Sequence, residues 1–506
     1  MVSAGESRGA KGEMMESGLS SRERWLTWTI LGSWALLCSL QWGWLPFMRY
    51  GWALNLWAYQ PFPVGVLLAV SGLSISIPAV RQALIEFGDG LVGALESRSM
   101  TAPVSGAVVF ALLWLLSDNE LSPDAMVFGG AIFQGYEFIF PDVGTTWIIF
   151  SLIRLESAFE LTDMQVVRIL SCLTGGFTAG LLVSMARRGM LGPTRTFGLA
   201  AALLISSGLI RVFAGRVEAY PLLLLAVASY VWLALRYLNE KRGWYLTCLV
   251  AGIAVWLHGA AVGLGLSLFF LPRLASDEIP WTVWLGLLVR GAFISAIPSA
   301  LFFLGLILFG NELSLQAAVA RAVEILGGSE AETSTRWWVR GWGGDPSIGT
   351  DLVFASWQQL KYLANTAFLL CPSAIPVLLV LFVLKGRQLG RDATLLFLAT
   401  LCLPLVVYSF ALRPFWGPYD WDLFSITALS LILLQGYALE FSLQGALRKH
   451  VAVWLVVFQL LFVGAPFLAL RFVPLRDAGP FFKDGYLSPE IGKAATPPPP
   501  ALQPWL

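Results

Sequence analysis

Charged residues are scarce in this chain. Asp, Glu, Lys and Arg together make up 13% of the 506 residues, whereas soluble globular proteins carry about 25%. Hydrophobic residues make up 57% of the chain, which is more than a water-facing surface tolerates. This composition excludes a soluble enzyme, and it also excludes a disordered scaffold, which needs low hydrophobicity and high charge. A polytopic membrane protein remains.

The chain also lacks an excess of charge of either sign and the usual metal-ligand patterns. The 33 basic and 32 acidic residues nearly cancel, so no nucleic acid is expected as a partner. There are two histidines and five cysteines, with no CxxC or CxH spacing, which argues against a zinc site or a disulfide framework. P-loop, HExxH, GxSxG and glycine-rich nucleotide motifs are absent. A transferase of this kind would take its donor from a lipid rather than from a soluble nucleotide sugar.

The chain is rich in long apolar runs instead. A membrane helix needs about 20 mainly apolar residues, and this rule predicts an all-α transmembrane bundle of about eleven to thirteen segments. The predicted spans are 26–45, 62–80, 104–117, 165–185, 196–213, 218–238, 281–309, 361–384, 393–412, 422–440 and 451–472.

The stretch 244–272 is apolar throughout except for a break at His258-Gly259. It is too long for one comfortable span and too short for two. We therefore expect a hairpin of two short or re-entrant helices, a form that is tolerated where the surrounding protein buries the break.

The distribution of polar segments predicts three parts and an orientation. We expect a mobile polar N-terminus (1–24), a transmembrane domain (25–472) and a Pro-rich tail (473–506). Lys and Arg recur in alternate loops, which predicts that this face and the N-terminus are cytoplasmic. The long loops 117–143 and 310–360 then lie outside, and the chain is expected in a bacterial inner membrane.

Two carboxylates of the first external loop are candidates for catalysis, Asp124 and Asp142. A carboxylate at this place could deprotonate an attacking hydroxyl or hold a divalent cation against a phosphate. The alternative is an ordinary solvated loop, in which Ser122 and Asp124 start a helix and Pro123 occupies its first turn.

Two further candidate segments lie at the ends of predicted spans. Arg211, Glu218 and Tyr220 surround a tight turn, where ionisable groups are costly and mark functional sites by default, although a structural ion pair is equally compatible. His258 could donate to a phosphate or move a proton, but a backbone carbonyl could also satisfy it.

The most concentrated polar cluster of the C-terminal half lies at 413–422. It contains Asp420 and Asp422 together with Arg413 and four aromatic side chains. Asp422 could instead cap the following helix, because Asp accepts hydrogen bonds from the free N–H groups there.

These segments, taken in order, resemble the GT-C superfamily of polyprenyl-phosphate-sugar-dependent membrane glycosyltransferases over roughly residues 104–440. The matching segments are Ser-Pro-Asp124-Ala-Met-Val-Phe-Gly, Phe-Pro-Asp142, Gly-Arg-Val-Glu218-Ala-Tyr220-Pro, the hairpin broken at His258, and Asp420-Trp-Asp422-Leu-Phe.

The resemblance implies a transferase that moves a sugar from a polyprenyl-phosphate donor to a glycan, lipid or protein acceptor on the non-cytoplasmic face. It implies that Asp124 is the catalytic carboxylate, either as a base or as the ligand of a divalent cation, while Arg211 and His258 steady the lipid phosphate. We expect one cavity lined by Asp124, Glu218, Tyr220, His258 and Asp420. Two alternatives stay open: a non-enzymatic membrane subunit that keeps the fold for assembly or lipid binding, and a transporter.

The predicted orientation can be tested by cysteine labelling. In a variant without the native cysteines, single cysteines at Ser329 and Gly390 should react with an impermeant reagent from opposite sides of the membrane, because the predicted spans separate them. Labelling of both from one side would contradict the span assignment.

Overall fold

A computed structural model of the chain describes most of the membrane domain. The described residues are 62–97, 102–117, 136–139, 141–155, 163–187, 199–215, 218–276, 278–309, 357–411, 422–443 and 445–469, with the isolated positions 32, 35, 36, 38, 39, 56, 132, 316, 319 and 320. The N-terminus 1–24, the tail 473–506, most of the two long loops, Asp124 and Asp420 lie outside these residues.

The described residues form helices joined by short turns, and none of them lies in a strand. The helices are α1 (Phe62–Ser74), α2 (Pro78–Ser97), α3 (Ala102–Leu115), α4 (Val143–Leu155), α5 (Asp163–Arg187), α6 (Leu199–Ser206), α7 (Tyr220–Glu240), α8 (Trp244–Leu257), α9 (Leu264–Ala275), α10 (Trp281–Phe309), α11 (Trp357–Leu370), α12 (Ala374–Leu389), α13 (Ala393–Ala411), α14 (Ser425–Ser442), α15 (Gly445–Gln459) and α16 (Ala465–Ala469). Three irregular helical segments lie between them, the 3-10 turns Gly208–Phe213 and Gly259–Gly263 and the π-helical turn Leu460–Gly464.

Many of these helices are suited to a membrane. Within the described part of the chain, six helices are long and apolar enough to cross a bilayer, or up to eight if each of two bent pairs counts as one span. The helices α3, α4, α8 and α9 are apolar but shorter. The architecture expected from the sequence, an all-α polytopic bundle, is confirmed.

Two spans that the sequence predicts as straight helices are bent. The α1–α2 pair bends by 90° and the α11–α12 pair by 93°. Each break lies beside a proline, Pro78 in the first pair and Pro372 in the second. A proline lacks the N–H group and disfavours helical geometry at the preceding residue, so the apolar run continues while the helix does not.

The helices differ sharply in how much of their surface other helices cover. Of the most apolar stretch of α14 and the turn before it, 89% is buried inside the protein, whereas only 11% of the corresponding stretch of α10 is buried. Helix α7 is also largely buried, and its Tyr230 has no accessible surface. The centre of the bundle is therefore built on α7 and α14, and α10 lies at its edge.

The chain reverses direction at His258, as expected. The Tyr230 hydroxyl of α7 lies 2.8 Å from the Ser267 hydroxyl of α9, and the Lys241 ammonium at the end of α7 donates to the carbonyl of Ala275 at the end of α9. Helix α9 thus runs parallel to α7, and α8 returns between them. His258 lies at the opposite end of the bundle from Lys241 and Ala275.

Glycines let the backbones of α3 and α5 approach closely. A Cβ atom on Gly106 would lie 2.8 Å from the carbonyl oxygen of Gly176, and one on Gly176 would lie 2.6 Å from that of Gly106. Small residues are typical of such contacts in membranes, where close packing rather than water exclusion brings helices together.

This packing predicts opposite effects for two Gly→Ala substitutions. Gly176→Ala should lower the thermal stability by about 1–3 kcal/mol, because the new methyl group overpacks the contact with α3. Gly265→Ala is the matched control, since a Cβ there meets no atom within 4 Å, and alanine favours a helix over glycine by about 1 kcal/mol. Thermal unfolding of the detergent-purified protein, followed by size-exclusion chromatography, measures both. Equal loss in the two variants would contradict the close approach.

Candidate active site

Asp142 and His258 meet at one end of the bundle. The Nε2 atom of His258 lies 2.9 Å from Oδ1 of Asp142. The imidazole is 3% exposed and the Asp142 side chain 20% exposed. The Oδ1 atom is itself buried and receives no well-aligned hydrogen bond, so the contact is electrostatic and the accessible part of the side chain lies away from Oδ1.

The backbone at the hairpin break determines which nitrogen of His258 carries the proton. His258 ends α8 in an extended conformation, and its Nδ1 accepts a hydrogen bond of 2.9 Å from the N–H of Ala260. An accepting nitrogen has no proton, so in the neutral ring the proton is on Nε2. The N–H bond of the imidazole is therefore at the nitrogen that faces Asp142.

Two threonines hold the segment before α4 against the hairpin. The Thr146 hydroxyl accepts from the N–H of Ile139 at 2.8 Å and donates to the carbonyl of Asp142 at 2.7 Å. The Thr145 hydroxyl donates to the carbonyl of Leu257 at 3.2 Å. Both threonine side chains are fully buried. These bonds fix the backbone on each side of the Asp142 carboxylate.

Aromatic rings pack around the pair. The ring centroid of Tyr220 lies 5.3 Å from that of His258, and Pro221 in the first turn of α7 helps to fix this position. Trp147 and Trp256 pack with Phe302 of α10, with ring centroids 5.6–6.1 Å apart. This cluster separates the Asp142 segment from the edge of the bundle.

Glu218 and Tyr408 are two further polar residues to consider with this region. Glu218 is buried in the turn that leads to Tyr220. Tyr408 of α13 lies within electrostatic reach of Asp142.

Arg211 contacts helix α16. Its Nη1 atom donates to the carbonyl of Phe467 at 3.1 Å, and its guanidinium carbon lies 4.6 Å from the centroid of the Phe467 ring. These contacts tie the 3-10 turn Gly208–Phe213 to α16. These contacts give Arg211 a packing role, and its expected role towards the lipid phosphate stays a prediction.

Asp422 is buried at the start of the turn that precedes α14, and its Oδ1 accepts a hydrogen bond of 3.1 Å from the N–H of Leu423. The bond reaches only the adjacent residue, and α14 begins after Phe424 without a side-chain cap, so the alternative of Asp422 as the cap of this helix is wrong. Asp420 and Asp124 lie outside the described residues, so their expected place in the site stays a prediction.

Arg168 of α5 is a candidate that the sequence reasoning missed. Its Nη2 donates to the Ser117 hydroxyl, and its guanidinium carbon lies 5.1 Å from the centroid of the Trp114 ring. The Nε atom is buried without a hydrogen-bond partner. A lone arginine at the beginning of an apolar span was the available signal.

The turn at Gly215 brings Arg168 close to the Tyr220 segment. Gly215 has a φ of 77°, a conformation that favours glycine, and a Cβ there would lie 2.6 Å from the Cβ of Ser117 and 3.4 Å from the Cγ of Arg168. Val167, next to Arg168, packs in one apolar cluster with Ala219 and Ile149. Arg168 therefore lies at the same end of the bundle as Tyr220.

An apolar cavity of about 250 Å³ lies between α11, α13 and α14. Its wall includes Leu363, Ala367, Val406, Phe410 and Leu431. Among the polar groups of the wall, Ser409 and Thr427 lie 2.8 Å apart and bond to each other. The cavity suits a hydrocarbon chain rather than a polar ligand.

Within the described residues, no group of three or more His, Cys, Asp or Glu side chains could hold a metal ion. Comparison of the chain with protein-family models, curated proteins and solved structures found no match. The geometry and the sequence motifs therefore carry the functional argument, without support from a known relative. The geometry brings Asp142, Tyr220 and His258 together and adds Arg168 at the same end of the bundle.

The threonine contacts predict a local effect on the Asp142 segment. Thr146→Val keeps the side-chain shape but leaves the Ile139 N–H and the Asp142 carbonyl without their hydroxyl partner, which should cost about 1–3 kcal/mol. Hydrogen–deuterium exchange over 136–146 should become faster. Thr400→Val is the control, because that hydroxyl bonds only within its own helix, to the carbonyl of Phe397. Unchanged exchange in Thr146→Val would contradict the anchoring role.

Proposed function

We propose that this chain is an integral-membrane glycosyltransferase that takes a sugar from a polyprenyl-phosphate donor on the non-cytoplasmic face. The observation that carries the proposal is the Asp142–His258 pair at the end of a polytopic bundle. A partly accessible carboxylate held by a buried imidazole is suited to proton transfer. The resemblance of the sequence to GT-C glycosyltransferases points to the same end of the bundle.

Asp142 is the general base in this proposal. The acceptor hydroxyl gives its proton to the Asp142 carboxylate, and its oxygen attacks the anomeric carbon of the sugar. The bond between that carbon and the phosphate oxygen breaks, and polyprenyl phosphate leaves with the electron pair. General base catalysis contributes about 10²–10⁴-fold to a rate. Asp124 remains the expected second carboxylate, as a base or as the ligand of a divalent cation.

His258 acts as a positioning residue. Its Nδ1 is engaged by the Ala260 N–H, which leaves Nε2–H to face Asp142. The imidazole therefore orients the carboxylate and stabilises its charge, while the proton of the acceptor goes to Asp142. In this arrangement one group takes the proton, and a second group holds that first group in position.

Arg168 is the group that we assign to the departing phosphate. Charge develops on the phosphate as the sugar leaves, and a fixed donor in a dry site stabilises it. The Nε–H of Arg168 is buried and unmatched, and guanidinium donors suit phosphate oxygens. Arg211, the residue expected from the sequence, also contacts Phe467 and remains the second candidate for this role.

The apolar cavity offers room for part of the polyprenyl chain. Helix α13 contributes Val406 and Phe410 to the wall of this cavity. A lipid chain bound there would place its phosphate near the end of α13 on the Asp142 side.

Broken helices favour a second candidate, a transporter. Beside the α11–α12 bend, the amide nitrogens of Gln435 and Gln459 both donate to the Ser373 hydroxyl, and Ser206 donates to the amide oxygen of Gln459 at 3.3 Å. Polar groups buried at helix breaks are typical of substrate pathways in transporters. A transporter would move a lipid-linked sugar without cleaving it, so chemistry distinguishes the two candidates.

The proposal predicts that Asp142→Asn abolishes sugar transfer. Loss of the base should lower the rate by at least about 100-fold, while the similar shape of asparagine preserves the fold. His258→Gln should retain part of the activity, because its amide can still donate towards Asp142. Two measurements test this. The first is release of polyprenyl phosphate from a panel of polyprenyl-phosphate sugars in proteoliposomes, and the second is accumulation of the lipid-linked sugar in a deletion strain that carries each variant.

Glu240→Gln is the matched control. Glu240 is also a carboxylate with a nitrogen partner, the Nε of Arg236 at 2.8 Å, but it lies at the other end of α7 from Tyr220. The Glu240→Gln variant should restore the deletion strain as the native protein does. Restoration by Asp142→Asn would show that the base is wrongly assigned. A deletion strain with unchanged lipid-linked sugars would contradict the glycosyltransferase proposal itself.

A further inference from the structure

Helix α10 carries a charge in an unusual place. Arg290 is the only charged residue of Trp281–Phe309, in a helix with mean hydropathy 2.1 over its most apolar window. Its side chain is exposed on the outside of the bundle. Arg290 makes no hydrogen bond or ion pair with any residue that the structure describes. An arginine in such a place needs an anionic partner, because leaving it unpaired in lipid is costly.

Tryptophans mark the level of the membrane surface near this arginine. The rings of Trp281 and Trp284 lie 4.4 Å apart, and Trp281 is 61% exposed. The guanidinium carbon of Arg273 lies 5.4 Å from the first ring and 5.2 Å from the second. Trp side chains at the end of an apolar helix prefer the interface between hydrocarbon and headgroups.

The helix geometry brings the Arg290 guanidinium towards that level. Arg290 follows Trp284 by six positions, which places its Cα about 9 Å deeper along the helix. Side chains in a helix tilt towards its N-terminus, and arginine extends its charged end towards the headgroups while its methylene groups stay in lipid. The phosphate of a phospholipid in the same leaflet is therefore the nearest available anion.

The charges at this end of the bundle favour an anionic lipid over a neutral one. Lys241, Arg242 and Arg273 lie at the same end as the start of α10, and their loops are among those whose basic residues predict the cytoplasmic face. The cytoplasmic leaflet is the one that carries anionic lipids. Glu240, one of the acidic residues there, is paired with Arg236.

We propose that Arg290 binds the phosphate of an anionic phospholipid on the membrane-facing side of α10. The guanidinium group would hold the phosphate by paired N–H donors, near the membrane level that the exposed ring of Trp281 marks. This site lies at the end of the bundle opposite Asp142 and does not depend on the proposed glycosyl transfer.

The proposal is tested by retention of lipid on the full-length protein. The chain is purified from nanodiscs of phosphatidylcholine with and without phosphatidylglycerol, and bound lipid is counted by native mass spectrometry. Arg290→Gln should lower retained phosphatidylglycerol about fivefold, the effect typical of one basic residue at an anionic surface. Arg290→Lys keeps the charge and should retain more than Arg290→Gln.

Arg391→Gln is the control. It removes the same charge from an exposed arginine in the turn between α12 and α13, outside the apolar helices, and should leave retention unchanged. Equal retention in native protein and Arg290→Gln would overturn the proposal, as would an equal loss in Arg391→Gln, which would indicate unspecific attraction. A second protein or a second copy that is retained through Arg290 in place of lipid would also overturn it. Matching size-exclusion and thermal profiles ensure that the variants are folded.

Discussion

The rest of the site depends on one constraint, the need to satisfy the backbone polar groups where the hairpin breaks at His258. A helix that ends inside a membrane protein leaves N–H and carbonyl groups that water cannot reach, and each unmatched group costs free energy. Here Nδ1 of the His258 ring accepts a hydrogen bond from the N–H of Ala260. The carbonyl of Pro141 accepts a hydrogen bond of 3.2 Å from the N–H of Gly259. The Thr145 hydroxyl donates to the carbonyl of Leu257. The segment before α4 is therefore held in place by the same bonds that make the break possible.

This solution also determines the chemistry that the site can perform. Once Nδ1 is used to satisfy the backbone, only Nε2 of His258 remains, and it faces Asp142. A purely structural pair would gain from burying both partners, whereas Asp142 keeps part of its surface accessible. The imidazole is thus committed to the fold and the carboxylate is the group that can meet a substrate. The geometry favours Asp142 over His258 as the proton acceptor for this reason.

The sequence predicts where the helices lie along the chain better than it predicts which residues contact one another in the fold. The hairpin at 244–272 follows from its length and its His258-Gly259 break, and the structure has it. The contact between Asp142 and His258 joins segments that several helices separate, so no local pattern could reveal it. The contact of Arg211 with Phe467 likewise joins distant parts of the chain, because α16 returns from near the end of the sequence to pack against it. Arg168 was overlooked because its partners, Ser117 and Trp114, lie at the end of α3, which is distant from Arg168 in the sequence.

Helix α10 links the two ends of the bundle. Its Phe302 packs edge to face on Phe138, with ring centroids 5.6 Å apart, and Leu306 shares a buried cluster with Val143, the residue after Asp142. Arg290 lies twelve positions before Phe302, about 18 Å away along the same helix. Helix α8 holds α10 on both sides of Arg290: the Trp244 indole donates to the carbonyl of Leu287 at 3.2 Å, and the Ser295 hydroxyl donates to that of Cys248 at 2.8 Å. A phospholipid at Arg290 would add a contact on the outer face of the helix that supports the Asp142 segment, and the composition of one leaflet would then bear on a site at the other end of the bundle.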